Sequence, residues 1–158
     1  MRHIDFCPTQ IYLNSPLQPD ASIYLDYLVL SLDEVDKSDI KEHRLFILKM
    51  MYLFGNLTEI VGGTFAFETV GNQLVSSLAD ILYLGLRASD NDVILKCLRV
   101  IGNLALDKVY AGEMANHSKI VEGLLRVDEK RLGSSVEEII GGVIHNLSSY
   151  DSRTMLCW

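Results

Sequence analysis

The 158 residues carry 14 basic against 21 acidic side chains, a net charge of −7, and 49% of them are hydrophobic. That length suits one domain with a sizeable core, and the composition is that of a folded chain. Nucleic acid and anionic membrane surfaces are excluded as expected partners, because both need a concentrated basic face and no such cluster occurs. Residues 1–8 lack the apolar run of a secretory signal, and no later stretch approaches about 18 uninterrupted apolar residues, so the cytosol is the expected compartment. Cys7, Cys97 and Cys157 are too few and too far apart for a disulfide framework or metal-ligand dyads. Reduced thiols fit all three, with Cys97 read as a small core hydrophobe.

Pro8, Pro16 and Pro19 all fall in the first twenty residues, which predicts an irregular lead-in over 1–19. Helical periodicity begins after Asp20, where Leu25, Leu28, Val29 and Leu32 share one face. The polar run from Asp33 to Asp39 interrupts it. Asp39 with Glu42 forms a capping box for a second helix, expected to carry Leu45 to about Leu57. Gly62, Gly63 and Gly71 bracket residues 64–70, a segment of one or two helical turns. Leu74, Leu78, Ile81 and Leu82 then make an amphipathic stripe, closed by Ser89-Asp90-Asn91-Asp92, whose aspartates can cap the next helix.

That next helix is apolar around more than half its circumference, with Val93, Ile94, Leu95, Cys97, Leu98, Val100, Ile101 and Leu104. A helix so patterned needs neighbours on several sides. A short segment at 108–115 leads to Ile120, Val121, Leu124 and Leu125. Ser134 and Ser135, followed by Glu137 and Glu138, offer overlapping capping boxes for a last long helix with Val136, Ile139, Ile140, Val143, Ile144 and Leu147 on its apolar side. Gly102, Gly141 and Gly142 each cost a helix about 1 kcal/mol relative to Ala, and they point either to close backbone approach or to simple tolerance.

One pattern recurs. Gly55-Asn56-Leu57-Thr58, Gly102-Asn103-Leu104-Ala105 and His145-Asn146-Leu147-Ser148 are spaced 47 and 43 residues apart, a period at which self-similarity signals a helical solenoid. Leu78, Ile81 and Leu82 stand where Val121, Leu124 and Leu125 stand one unit later. With a short, a medium and a long helix per unit, residues 20–149 resemble the armadillo-repeat family, in units of about 20–60, 61–107 and 108–149. Two-helix HEAT repeats are the neighbouring architecture; the short segments at 64–70 and 108–115 favour three helices.

The resemblance implies an all-α right-handed superhelix of about three repeats. In armadillo proteins that bind extended peptides, the asparagine near the end of the third helix faces the concave groove and hydrogen-bonds the peptide backbone. Carried over, this makes Asn56, Asn103 and Asn146 a ladder, and an amide can donate to a peptide carbonyl while accepting from an N–H. A bridging role between adjacent helices is the equal alternative. Import receptors of the family place tryptophan four residues before this asparagine; here Tyr52, Arg99 and Gly142 occupy those positions, which argues against binding nuclear-localisation signals. Arg99, with Lys49 and Lys96, suits an acidic or amphipathic segment instead.

The expected function is a non-catalytic protein-interaction module, a scaffold or adaptor, that binds a protein or peptide along the concave face through Asn56, Arg99, Asn103, His145 and Asn146. No cofactor or metal is expected. His3, His43, His117 and His145 have no partner at a metal-ligand or nucleophile spacing, so no catalytic set emerges. The alternative is a structural stretch of a longer solenoid or assembly working by end-to-end stacking. The apolar tail, Met155-Leu156-Cys157-Trp158 within residues 150–158, fits continuation into a longer array, folding back, or self-association.

Overall fold

The computed structural model describes residues 29–32, 40–61 and 71–150. These residues are all-helical, with no strand among them. Residues 29–32 are helical, and six longer helices follow: α1 (Ile40–Val61), α2 (Gly71–Ala88), α3 (Asn91–Leu104), α4 (Lys108–Asn116), α5 (Ser118–Lys130) and α6 (Ser134–Tyr150). The lead-in, the 64–70 segment, the Asp39 cap and the apolar tail lie outside the described residues.

Helix α3 lies at the centre of the core because it is apolar on several sides. Val93, Ile94, Cys97, Leu98, Val100 and Ile101 are fully buried and Leu104 nearly so. It packs most extensively against α1, then against α2, and on a further side against α6. Helix α2 also packs along α5, and α4 lies against α6 and α5. Helices α1, α3 and α6 thus contact one another in that order, and α2 contacts α5. Burying each such aliphatic side chain contributes about 1.5–3 kcal/mol, so the core depends on this sharing of one helix among three neighbours.

The junctions explain how so many helices follow one another without long loops. Ser89 enters the left-handed region at φ 54° and ends α2. The Asp90 amide donates to Gly85 O at 2.9 Å, and the Asp90 carboxylate caps α3 by accepting from Val93 N at 3.3 Å. Asp107 caps α4, accepting from Val109 N at 2.8 Å and Tyr110 N at 3.3 Å. His117 alone joins α4 to α5, without a side-chain cap.

Helix α6 begins differently from the sequence expectation. The carbonyl of Gly133, at φ 111°, accepts from Val136 N at 3.0 Å and Glu137 N at 3.1 Å. Ser134 and Ser135 therefore lie inside the first turn instead of capping it. A glycine takes the cap because the chain leaves α5 through Arg131 at φ 46° and needs a second left-handed residue to turn back.

Close backbone approach also falls at glycines other than those anticipated. A Cβ on Gly141 or Gly142 would meet nothing within 4 Å, and on Gly102 only ordinary contact with Val143 at 3.6 Å. The tight sites are Gly123, where a Cβ would stand 2.7 Å from Leu82 Cδ2, and Gly85, where it would stand 3.0 Å from Ile94 Cγ1. At Gly123 a methyl would force Leu82 to shift across the α2–α5 contact, and at Gly85 Ile94 would have to give by a few tenths of an ångström.

Candidate functional site

Three of the anticipated contact residues come together where α3 crosses α1. Asn103 donates its side-chain amide to the carbonyl oxygen of Gly55 at 3.0 Å and to the Thr58 hydroxyl at 3.1 Å. Thr58 is buried, and its hydroxyl donates a hydrogen bond to Phe54 O at 2.7 Å. The Asn103 N–H groups are thus directed to the neighbouring helix, and its carbonyl oxygen is the part of the amide left for a ligand. Arg99, one turn earlier, lies over Gly55, with its Cδ 3.6 Å from where a glycine Cβ would stand, and its guanidinium pairs with Glu59. Asn56, beside Gly55, is half-buried, and its side chain makes no hydrogen bond among the described residues.

His145 and Asn146 lie one helix further on, in α6, which meets α3 through Val143 and Ile139 against Gly102. His145 is exposed and Asn146 half-buried. Asn146 thus differs from Asn103, since its amide has no glycine carbonyl and threonine to hold it.

The basic residues of this surface are partly spent internally. Lys96 sits over the ring of Tyr52, its Nζ 5.6 Å from the centroid, so this tyrosine already holds a lysine. Lys49 is exposed and makes no ion pair among the described residues.

Two features escaped sequence reasoning. First, α1 exposes large apolar side chains: Leu45 (66%), Tyr52 (56%), Phe46 (41%) and Leu53 (39%). The helix is apolar all round, so its sequence does not show which face is buried. Only the seven-residue spacing of Leu45 to Tyr52 and of Phe46 to Leu53 hints at it. Second, Arg44 pins the α2–α3 turn. Its Nε donates to Asp90 Oδ2, and its Nη2 donates to Asp90 Oδ1 at 3.1 Å and Asp92 Oδ2 at 2.7 Å. This hydrogen bonding holds the Asp90 carboxyl below the usual carboxylate range. The residues are 46 apart in sequence, so no local pattern announces the pair.

An open cavity of about 760 Å³ lies between α2 and α5, bounded by Tyr83, Leu84, Leu86, Arg126, Glu129 and Lys130. Its cations are committed to the protein. Arg126 pairs with Glu122 at 2.6 Å and lies over the Tyr83 ring at 5.3 Å, and Lys130 donates to Leu86 O at 3.1 Å. Burial first, and the Glu122 carboxylate second, raise the pKa of the Tyr83 phenol.

Among the described residues, no three His, Cys, Asp or Glu side chains gather as metal ligands would. His43, His117 and His145 belong to α1, the α4–α5 joint and α6 respectively; His3 lies outside the described residues. Cys97 is fully buried, its thiol donating to Leu78 O at 3.4 Å, and burial pushes its pKa up. No described helix is long and apolar enough to cross a membrane. No family model, curated protein or solved structure matches the chain.

Proposed function

We propose that this chain is a non-catalytic protein-interaction module, a short right-handed α-solenoid of about three armadillo-type repeats. A partner segment lies along the concave face made by α1, α3 and α6. The observation that carries this reading is the order of contacts: the helices carrying Asn56, Asn103 and Asn146 pack one on the next, while α2 packs on α5. Stacked units of this kind bury a shared core and leave one helix per unit facing a common groove.

Within that groove the residues fall into two groups. Asn103 and Arg99 fasten α3 to α1 through Gly55, Thr58 and Glu59. Asn56, His145 and Asn146 retain free polar atoms, and they hold the partner's backbone, with the Asn103 carbonyl oxygen between them. The partner is a protein or peptide; no metal or cofactor takes part.

A selection of random peptides displayed on phage, made against the full chain, tests the reading. Selected peptides should bind the wild type and lose at least tenfold in affinity for a variant carrying Asn56→Ala, His145→Ala and Asn146→Ala that retains its helical circular dichroism. Asn103 is left intact so that the helix contact survives. Equal binding to both proteins would overturn the groove as the functional surface.

A further inference from the structure

The exposed side of α1 is built like one half of a helix–helix seam. Phe46, Lys49, Leu53 and Asn56 follow at the three-four-three spacing of a heptad, and Leu45 and Tyr52 flank them seven residues apart. The opposite side of the helix, with Ile47, Met51 and Phe54, is already buried and holds α1 to the core. Among the described residues, the packing of α1 on the core therefore does not use the exposed side. Val29 and Leu32 of the preceding helical stretch are buried as well, so their apolar surface is already spent. Four large apolar side chains clustered on one exposed helix face mark an interaction surface.

We propose that this face receives one amphipathic helix of a partner protein, seated with a carboxylate against Lys49. The proposal rests on the interaction-module reading and specifies the partner's chemistry at the α1 end of the groove.

Charge decides the occupant. Lys49 stands in the middle of the patch, between the Leu45–Tyr52 and Phe46–Leu53 pairs, and Lys96 lies over the Tyr52 ring beside it. Anything that covers the apolar side chains also covers the Lys49 ammonium, and a covered ammonium without a counter-charge is strongly unfavourable. The occupant must bring an acidic group to that point, and Asn56 two turns on asks for a second polar partner. Pairing α1 with α1 about a two-fold axis through the patch does not supply them, because it sets Lys49 against Lys49, and the side of α6 with Glu137 and Glu138 has no fully exposed apolar side chain for Phe46 and Leu53 to meet. A copy that meets the patch through its exposed Leu106 and Val109 is the other occupant, and sedimentation distinguishes it.

The test uses the full chain and three synthetic helical peptides with the same heptad-spaced leucines, differing only in Glu, Ala or Lys at the central position of the seam. Fluorescence anisotropy should show the Glu peptide binding at least tenfold tighter than the Lys peptide. Lys49→Glu should invert that order, and Phe46→Ala with Leu53→Ala should abolish binding of all three. These residues are surface-exposed, and circular dichroism checks that each variant is folded. An order unchanged by Lys49→Glu would overturn the proposal, as would a wild-type dimer in sedimentation that Phe46→Ala and Leu53→Ala dissolve. Phage-selected peptides that depend on His145 and Asn146 but ignore Lys49, Phe46 and Leu53 would overturn it while leaving the groove reading intact. Absence of peptide binding in both experiments would overturn both.

Discussion

Asn103 of α3 donates to the Thr58 hydroxyl of α1 at 3.1 Å, and Thr58 in turn donates to Phe54 O, so one amide is tied into the backbone of the neighbouring helix. A side chain expected from the sequence to bind a ligand is also a fastener between two helices.

Removing that fastener has a measurable cost. Asn103→Ala removes a donor from both the buried Thr58 hydroxyl and the Gly55 carbonyl, and should lower stability by about 1–2 kcal/mol. Asn103→Asp should be worse, because a carboxylate faces the Gly55 carbonyl without a proton to give. Urea denaturation followed by circular dichroism reads both. In a double-mutant cycle with Thr58→Val the effects should be less than additive.

The glycines separate into two kinds. A methyl at Gly123 collides with Leu82, which is itself fully buried, so Gly123→Ala should destabilise, since overpacking of about 1–3 kcal/mol exceeds the ~1 kcal/mol that alanine adds to helix propensity. At Gly141 and Gly142 a methyl meets open space, and each Ala substitution should raise stability by about 0.5–1 kcal/mol. Thermal melts of the three single variants would show one fall in Tm and two rises.

Acid should weaken the α1–α3 contact at Asp90. Its carboxyl is held below its ordinary pKa by the Arg44 hydrogen bonds, so the folded state binds the proton less readily than the unfolded chain. The stabilisation is present above the unfolded value of about 3.9 and disappears as pH falls through the lower folded value. Asp90→Asn should therefore be less stable than wild type at neutral pH, and the gap should close below about pH 4. Denaturation midpoints of the two proteins from pH 7 to pH 2 check it.

Cys97 should stay unmodified in the native protein. Its thiol is fully buried and its pKa is raised, so little thiolate forms and no reagent reaches it. Iodoacetamide followed by peptide mass spectrometry should find Cys97 alkylated only after addition of denaturant.

Much of the helix order was legible because period and punctuation agree. Leu74, Leu78, Ile81 and Leu82 mark the buried side of α2, Asp90 caps α3, and the apolar circumference of α3 places it among several neighbours. The Gly133 cap was hidden by two serines that carry the stronger local signal. The bare sites at Gly85 and Gly123 depend on which residue of another helix stands opposite, and that is set by tertiary register. The same holds for Arg44 and Asp90, which meet across 46 residues, and for Glu59, which draws Arg99 into an ion pair. The exposed face of α1 was hidden by excess: with Leu45, Phe46, Ile47, Leu48, Met50, Met51, Leu53 and Phe54 in one helix, periodicity cannot choose the buried side.

The most direct test of the proposed function is a chemical-shift map of the ¹⁵N-labelled chain titrated with a phage-selected peptide. The account predicts that shifts concentrate on α1, α3 and α6, at Asn56, Arg99, Asn103, His145 and Asn146 and along the Leu45–Leu53 face. Shifts confined to the α2–α5 cavity around Tyr83 and Lys130, with the asparagine face unmoved, would contradict it.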